Sequence, residues 1–464
     1  MIRFLNAYFP VRTLFLGVSE ACLVTLAFVA ATIARLGMSD ATLMLNYEQG
    51  FVKISIVVAA FVICMYYFDL YDSSILRNHR EVITRVIQVL GTVCILLAVL
   101  YYLFPPLELG RGIFLMGFVL VSLLLLCWRR LFLMVNSLPQ FAERALILGE
   151  GHLAGQLLHE MSTRPELGLR VVAQIPEGAG EDGASTSPHG AASVEQLAHY
   201  VDSQRVNRVI VAMGDRRGKL PVEQLLSMKG RGVLIQDGTE VYEAITGKLP
   251  IDSLRLGWLL FSPGFHVSRA LMMYKRSISV LISLAGSVLS LPLLPFIALA
   301  IKLTSSGPVL YRQKRVGRGG SVFDCLKFRT MRADAEADSG PTWAEDNDPR
   351  ITSVGRFLRL SRLDEIPQLW NVLKGDMSLV GPRPERPEFV DWLKQEIPYY
   401  YLRHTIRPGI TGWAQISYKY GNTVEDAKEK LRYDLFYIKN MSPGLDLLVL
   451  FQTIKIILLG RGAK

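Results

Sequence analysis

The stretch Ser277–Leu303, SISVLISLAGSVLSLPLLPFIALAIKL, is long and apolar enough to cross a bilayer as a helix, yet Pro292 and Pro295 lie in its interior. Each proline removes a helix donor and clashes with the preceding turn, so the helix is expected to bend there. Lys275 and Arg276 precede the segment, and Lys302, Arg312, Lys314, Arg315 and Arg318 follow it. Basic residues mark the cytoplasmic flank of a membrane segment, and here they mark both flanks. A single crossing breaks that rule at one end and carries the last third of the chain across the membrane. A helix that dips in, bends at the prolines and returns satisfies both ends. The alternative is an ordinary fifth span with a kink; the re-entrant form is the expectation.

Four further apolar segments lie upstream, at Leu14–Ala34, Phe51–Phe68, Val82–Phe104 and Gly112–Val135. Each approaches the ~20 residues a spanning helix needs. Arg3 and Arg12 precede the first; Arg77, His79, Arg80 and Arg85 lie before or at the start of the third; Arg129 and Arg130 close the fourth. The other loops are poor in Lys and Arg, so the N-terminus, the second-to-third loop and everything after residue 136 are expected in the cytoplasm. A chain that is half hydrophobic with a net charge of +10 fits a membrane protein with a basic cytoplasmic part. No zinc-knuckle or DNA-binding spacing is present, so anionic lipid and phosphate, not nucleic acid, are the expected partners. The cysteines, Cys22, Cys64, Cys94, Cys127 and Cys325, form no C-x-x-C and read as small apolar residues in a reducing compartment.

From Glu143 to about Ile251 the sequence turns soluble and alternates strand with helix: RALILGEG, HLAGQLLHEM, LRVVAQI, NRVIVAM and GVLIQDG, with helical sequence near Val194–Asp202 and Leu220–Lys229. This reads as a small Rossmann-like α/β unit, interrupted by the loop PEGAGEDGASTSPHGAA. Gly149-x-Gly151-x-x-Ala154 follows a strand and opens a helix, as a dinucleotide turn does. Its acidic ribose partner is doubtful, since Glu177 follows Pro176. Close packing of strand and helix is the plainer reason for these glycines, and no NAD(P) requirement is expected.

The C-terminal third carries clustered charged motifs: Lys327 and Arg329 in KFRTM, Asp364 and Glu365 in SRLDEIPQ, Arg383 in GPRP, Arg407 in HTIRPGITG, and Arg432, Asp434 and Tyr437 in RYDLFYIKN. Arginine forks suit bidentate phosphate contacts, and Pro/Gly turns fix such side chains. Adjacent residues on a helix point ~100° apart, so Asp364 and Glu365 do not flank a glycosidic bond from opposite faces. They can instead divide labour, one aimed at a phosphorus while the other holds a metal. Mg²⁺ takes oxygen ligands, commonly one or two carboxylates plus substrate phosphates, and carboxylate attack on phosphorus is an established covalent route.

The last ~190 residues resemble the bacterial sugar transferases, the monotopic polyprenyl-phosphate sugar-1-phosphate transferases, a length in keeping with one domain. The resemblance rests on the proline-broken helix, GPVLYRQKRVGRGG, KFRTM, LDEIPQLWNVLKGDMSLVGPRP and RPGITGWAQ, in that order. Four spans followed by a Rossmann-like domain resemble the long members, and MIRFLNAYFP and YEAITGKLPIDSL resemble those of exopolysaccharide and exosortase systems. The resemblance implies three parts: a transmembrane helical bundle (1–136), a Rossmann-like α/β domain (143–251), and an α-rich monotopic catalytic domain with a re-entrant helix (270–464). It implies transfer of a sugar 1-phosphate from a UDP-sugar to undecaprenyl phosphate, with release of UMP, at the cytoplasmic face of the bacterial inner membrane. By the same resemblance Asp364 is the nucleophile and Glu365 a Mg²⁺ ligand; the chemistry of the clustered cations makes Lys327, Arg329, Arg383 and Arg407 the phosphate-binding candidates. Many short members break the helix at a Ser-Pro pair; here Leu291 separates Ser290 from Pro292. Downstream glycan-assembly enzymes are expected partners, and the middle domain is a candidate for regulation or homodimer formation.

Two rival readings are an NAD-dependent nucleotide-sugar modifier built on the Gly149 turn, and a non-enzymatic membrane scaffold. The first lacks a Tyr-x-x-x-Lys in the Rossmann-like segment, and the second makes Asp364 dispensable. The C-terminal run GLDLLVLFQTIKIILLG reads equally as a surface-lying or a core helix.

Overall fold

A computed structural model describes the chain except residues 1, 5, 73–74, 76–78, 137–141, 165–166, 177–196, 215, 217–219, 255, 263, 266–267, 333–347, 419–420, 422 and 460–464. Arg77, Glu177 and all but the first residue of the loop 176–192 lie outside the described residues. The chain forms two compact units, one built from Phe9–Gly238 and the other from Arg3–Tyr8 together with Thr239–Lys464.

The first unit begins with helices Val11–Leu36, Gly50–Tyr67, His79–Leu103 and Arg111–Asn136, each holding a stretch long and apolar enough to span a membrane. Their shared interior is apolar, with Val24, Phe28, Val57, Phe61, Val93 and Val121 among its buried residues. Arg129 does not project as a flanking charge. It is buried, its Nε 2.7 Å from Glu20 Oε1, its Nη1 donating to the Leu70 carbonyl at 2.9 Å. A lone guanidinium buried in apolar surroundings is costly, and the Glu20 carboxylate on the first helix supplies its counter-charge.

The same unit contains a four-stranded parallel sheet in the order Leu169–Ile175, Glu143–Leu148, Arg208–Val211, Leu234–Asp237. These strands coincide with the runs read from the sequence, because β-branched and leucine residues bounded by Gly and Pro favour buried parallel strands. Helices His152–Thr163, Leu197–Ser203 and Val222–Gly230 accompany the sheet. Gly149 has φ 127°, and a Cβ there would lie 2.7 Å from the Ala212 carbonyl. Close approach to the neighbouring strand's end accounts for this glycine.

The second unit contains the proline-bearing segment. Ser268 caps its start by accepting from the Leu271 N–H at 3.1 Å, and the helix Arg269–Ser290 gives way to a 3₁₀ turn at Leu291–Leu293 before resuming as Leu294–Thr304. Pro292 and Pro295 deny the backbone N–H groups that would continue the α-helical ladder. Both arms pack on this unit. On the first arm, Arg276 Nη2 donates to the Leu373 carbonyl at 2.7 Å and Ser279 Oγ lies 3.2 Å from Ser378 Oγ. On the second, Ile297 and Ile301 join Phe328 and Leu358 in one buried cluster. Leu281, Leu284, Val288, Leu289, Phe296 and Leu299 remain exposed, an apolar surface suited to lipid.

An antiparallel hairpin, Leu310–Val316 with Val322–Phe328, and a short parallel pair, Ser378–Val380 with Gly409–Thr411, also belong to this unit. The helix Val424–Asn440 starts at a capping box in which Thr423 and Asp426 bond reciprocally. Its far end receives the N-terminal residues: Arg3 Nη2 donates to Asn440 Oδ1 at 2.8 Å, and Asn6 Nδ2 to the Asn440 carbonyl at 3.1 Å. The last helix, Pro443–Leu458, buries Leu445 and Val449 while Leu447, Ile454 and Leu458 stay exposed.

Candidate active site

The carboxylate pair sits between two helices, Ser353–Leu360 and Gln368–Lys374. Arg362, in the left-handed region at φ 58°, turns the chain, and Leu363–Glu365 form one 3₁₀ turn. At three residues per turn, successive side chains diverge by ~120°, so Asp364 and Glu365 meet different surroundings although both are buried.

Glu365 is surrounded by cations. Its Oε1 lies 2.6 Å from Arg383 Nη2, 3.5 Å from Lys327 Nζ and 4.0 Å from Arg362 Nη1. Lys327 is delivered by the second hairpin strand, and Arg383 by the turn after Ser378–Val380. Burial alone would raise the Glu365 carboxyl, but Arg383, Lys327 and Arg362 outweigh it and hold the group well below the usual carboxylate range. Asp364 is shifted the other way, raised by burial and by the Glu365 charge against Lys327, Arg359 and Arg383. Its Oδ1 is buried with no hydrogen-bond partner among the described residues. One carboxylate is thus held firmly ionised, and the other keeps an unsatisfied oxygen.

The remaining sequence-nominated residues separate. Arg329 is buried and donates through Nη2 to the carbonyl of Ser305, just past the broken helix, at 2.9 Å; its Nε and Nη1 have no partner among the described residues. Arg407 lies beside Arg276 and Arg318, and burial together with those two charges lowers its pKa. Ser290 Oγ donates to the Ser287 carbonyl at 2.9 Å, and Pro292 lies in the 3₁₀ turn. Arg432 pairs with Asp252 and Glu429, Asp434 with Arg403, and Tyr437 with Lys275 and Asp446. Those three are engaged with partners other than the carboxylate pair. Sequence reasoning missed Arg359 and Arg362. Their signal is the basic density of GRFLRLSRLDE, which places arginines five and two residues before Asp364.

The family model for bacterial sugar transferases matches residues 270–460, and one for a CoA-binding domain matches residues 66–219. Over 228 residues the chain is 45% identical to a UDP-N-acetylgalactosamine-undecaprenyl-phosphate N-acetylgalactosaminephosphotransferase of Aeromonas hydrophila, covering 48% of this chain and 52% of the relative. It is 37% identical over 326 residues to the UDP-glucose:undecaprenyl-phosphate glucose-1-phosphate transferase of Escherichia coli (strain K12), covering 68% of each. It is 42% identical over 188 residues to the exopolysaccharide production protein PSS of Rhizobium leguminosarum bv. phaseoli, covering 39% of this chain and 94% of the relative. The match therefore spans about half the length of the Aeromonas relative and about two thirds of the Escherichia one. With a family model over the segment that holds the carboxylate turn and 37% identity across two thirds of a full-length relative, the chain belongs to the bacterial sugar transferase family.

Proposed function

We propose that this protein transfers a sugar 1-phosphate from a UDP-sugar to undecaprenyl phosphate, releasing UMP, and so initiates synthesis of an exopolysaccharide or other surface glycan. The observation that carries the reading is the division between Asp364 and Glu365: one buried carboxylate whose Oδ1 has no hydrogen-bond partner among the described residues, beside one neutralised by cations. The Aeromonas and Escherichia relatives are named for this class of transfer, and the Rhizobium relative for exopolysaccharide production.

In the first step an oxygen of ionised Asp364 attacks the β-phosphorus of the UDP-sugar. The bond from that phosphorus to the bridging oxygen breaks, its electron pair leaves with UMP, and the sugar phosphate remains as an acyl phosphate on Asp364. In the second, a phosphate oxygen of undecaprenyl phosphate attacks the same phosphorus and the Asp364 carboxylate departs. No net proton transfer is required. The raised pKa of Asp364 makes its carboxylate a stronger nucleophile than an ordinary one, while Lys327 and Arg383 reduce repulsion between it and the diphosphate.

Mg²⁺ fits these residues. Glu365 offers an ionised hard oxygen donor, with Oε1 engaged by Arg383, in the same turn as the Asp364 carboxyl. Such a site suits an ion completed by substrate phosphates. Bound there, Mg²⁺ would neutralise charge developing on the diphosphate. Arg329 and Arg407 are assigned to substrate phosphates beyond the reacting one.

The topology belongs to the same proposal. The segment 269–304 enters and leaves on the cytoplasmic side of the inner membrane, a reading supported by both arms packing on the catalytic unit. The contacts of Arg3 and Asn6 with Asn440 support a cytoplasmic N-terminus. The parallel sheet around Gly149 serves as an accessory domain for regulation or dimer formation. The relatives named above carry different sugars. The test is therefore purified protein with undecaprenyl phosphate, Mg²⁺ and a panel of UDP-glucose, UDP-galactose and the UDP-acetamido sugars, reading UMP. Release with one sugar, dependent on the lipid at steady state, is expected; no release with any sugar would refute the reading.

A further inference from the structure

The turn that carries Arg383 is Gly381-Pro382-Arg383-Pro384-Glu385, and its two prolines have no N–H with which to close internal hydrogen bonds. Its carbonyls are held from outside instead. The Gly409 N–H donates to the Pro382 carbonyl at 2.9 Å, Arg315 Nη1 to that of Pro384 at 2.9 Å, and the Val316 N–H to that of Glu385 at 2.9 Å. A fourth carbonyl, that of Arg383 itself, accepts from Arg403 Nη2 at 2.9 Å.

Arg403 is buried, and both terminal nitrogens of its guanidinium are engaged. Nη1 donates to the Tyr400 hydroxyl at 2.6 Å, the cation lies 5.1 Å from the centre of the Tyr400 ring, and Nη2 lies 2.9 Å from Asp434 Oδ2. Asp434 is itself buried on the helix Val424–Asn440. A buried ion pair is a poor way to gain stability, since desolvation roughly cancels the attraction and apolar replacements are often neutral. What a guanidinium offers here is geometry: a planar fork that ties a helix carboxylate, a phenol and one carbonyl into fixed relative positions.

We propose that Arg403, oriented by Asp434 and Tyr400, is a positioning residue that sets the backbone at Arg383 and thereby aims the Arg383 guanidinium at Glu365 and the substrate diphosphate. The inference rests on the reading of Arg383 as a phosphate-binding residue. Arg403 touches no reacting atom; it acts through the carbonyl of the residue that does.

Two measurements test it. The first is hydrogen exchange of the solubilised protein, comparing wild type with Arg403→Met and, should that variant fail to fold, Arg403→Lys. Faster exchange confined to the Gly381, Gly409 and Val316 amides, which hold the turn through backbone bonds, with the helix Val424–Asn440 still protected, is expected. Unchanged exchange at the turn, or loss spread through the whole unit, overturns the proposal. The second is a cycle on UMP release. Arg403→Met should lower kcat/KM on the order of 100-fold in the wild-type background, as misplacement of a catalytic group does. In an Arg383→Met background it should cost less than about 3-fold, because residues acting through one another are not additive. Equal losses in both backgrounds would make Arg403 merely structural. Wild-type protein that releases no UMP from any UDP-sugar would refute the transferase reading, and the exchange experiment would still decide the role of Arg403.

Discussion

Arg383 Nη2 donates to Glu365 Oε1 at 2.6 Å, so the guanidinium of the GPRP turn is engaged by the second carboxylate of the pair. Asp364, the first, keeps Oδ1 buried with no hydrogen-bond partner among the described residues. The asymmetry assigns different work to neighbouring residues of the same chemistry, and each consequence is measurable.

The covalent step is tested by mass. Intact protein mixed with Mg²⁺ and the correct UDP-sugar, without lipid phosphate, should gain one sugar phosphate and release UMP, with ping-pong kinetics when both substrates vary. Asp364→Asn should abolish both signals and lower turnover by at least about 10³-fold, as removal of a nucleophile does. Glu365→Gln should instead weaken the Mg²⁺ dependence and slow the reaction. An adduct persisting in Asp364→Asn would place the nucleophile elsewhere; an active enzyme with no adduct and sequential kinetics would favour direct transfer.

Arg383→Lys should not rescue function. Lysine keeps the charge but loses the planar fork, and the expected loss is on the order of 10²-fold in kcat. Activity close to wild type would reduce Arg383 to a diffuse positive charge.

The pH profile should carry the signature of the pair. Asp364 reacts as carboxylate, and burial together with Glu365 raises its pKa, so the acid limb of kcat/KM should lie above the ordinary value of about 4. Glu365→Gln removes the neighbouring charge, and the limb of the residual activity should move to lower pH. In stability the two shifts oppose each other. The Asp364 contribution is present below its unfolded pKa and lost as pH rises through the raised one; that of Glu365 is present above its unfolded pKa and lost as pH falls through the depressed one. A limb unmoved by Glu365→Gln would show that the two carboxyls do not interact.

Topology is tested by labelling. Single cysteines at Arg269 and Ser305, in a background without native cysteines, should both resist an impermeant thiol reagent in intact cells and react once the membrane is opened. Labelling of Ser305 alone from outside would make 269–304 an ordinary span.

The apolar helices and the parallel strands were legible because hydrophobic periodicity and turn chemistry are local. Leu169–Ile175 is the very run LRVVAQI that alternation and its flanks marked out. The interruption near Pro292 was legible too, since a missing N–H is a property of one residue. The motifs named Lys327 and Arg383 but passed over Arg359 and Arg362, and they did not say which of the named cations reach the carboxylate turn.

That choice belonged to the tertiary structure. Lys327 and Arg383 arrive at Glu365 from 38 and 18 residues away, while Arg329, two positions after Lys327, turns to the carbonyl of Ser305. Asp434 looked in the sequence like a further candidate for the site, and the fold spends it on Arg403; Arg129 looked like a flanking charge, and Glu20, 109 residues earlier, draws it inward. Composition and spacing settle where a chain becomes helix, strand or turn, because those preferences act over a few residues. The partner of a buried charge is settled by desolvation and Coulomb attraction among whatever the path of the chain brings within a few ångströms, and sequence spacing carries no record of that distance.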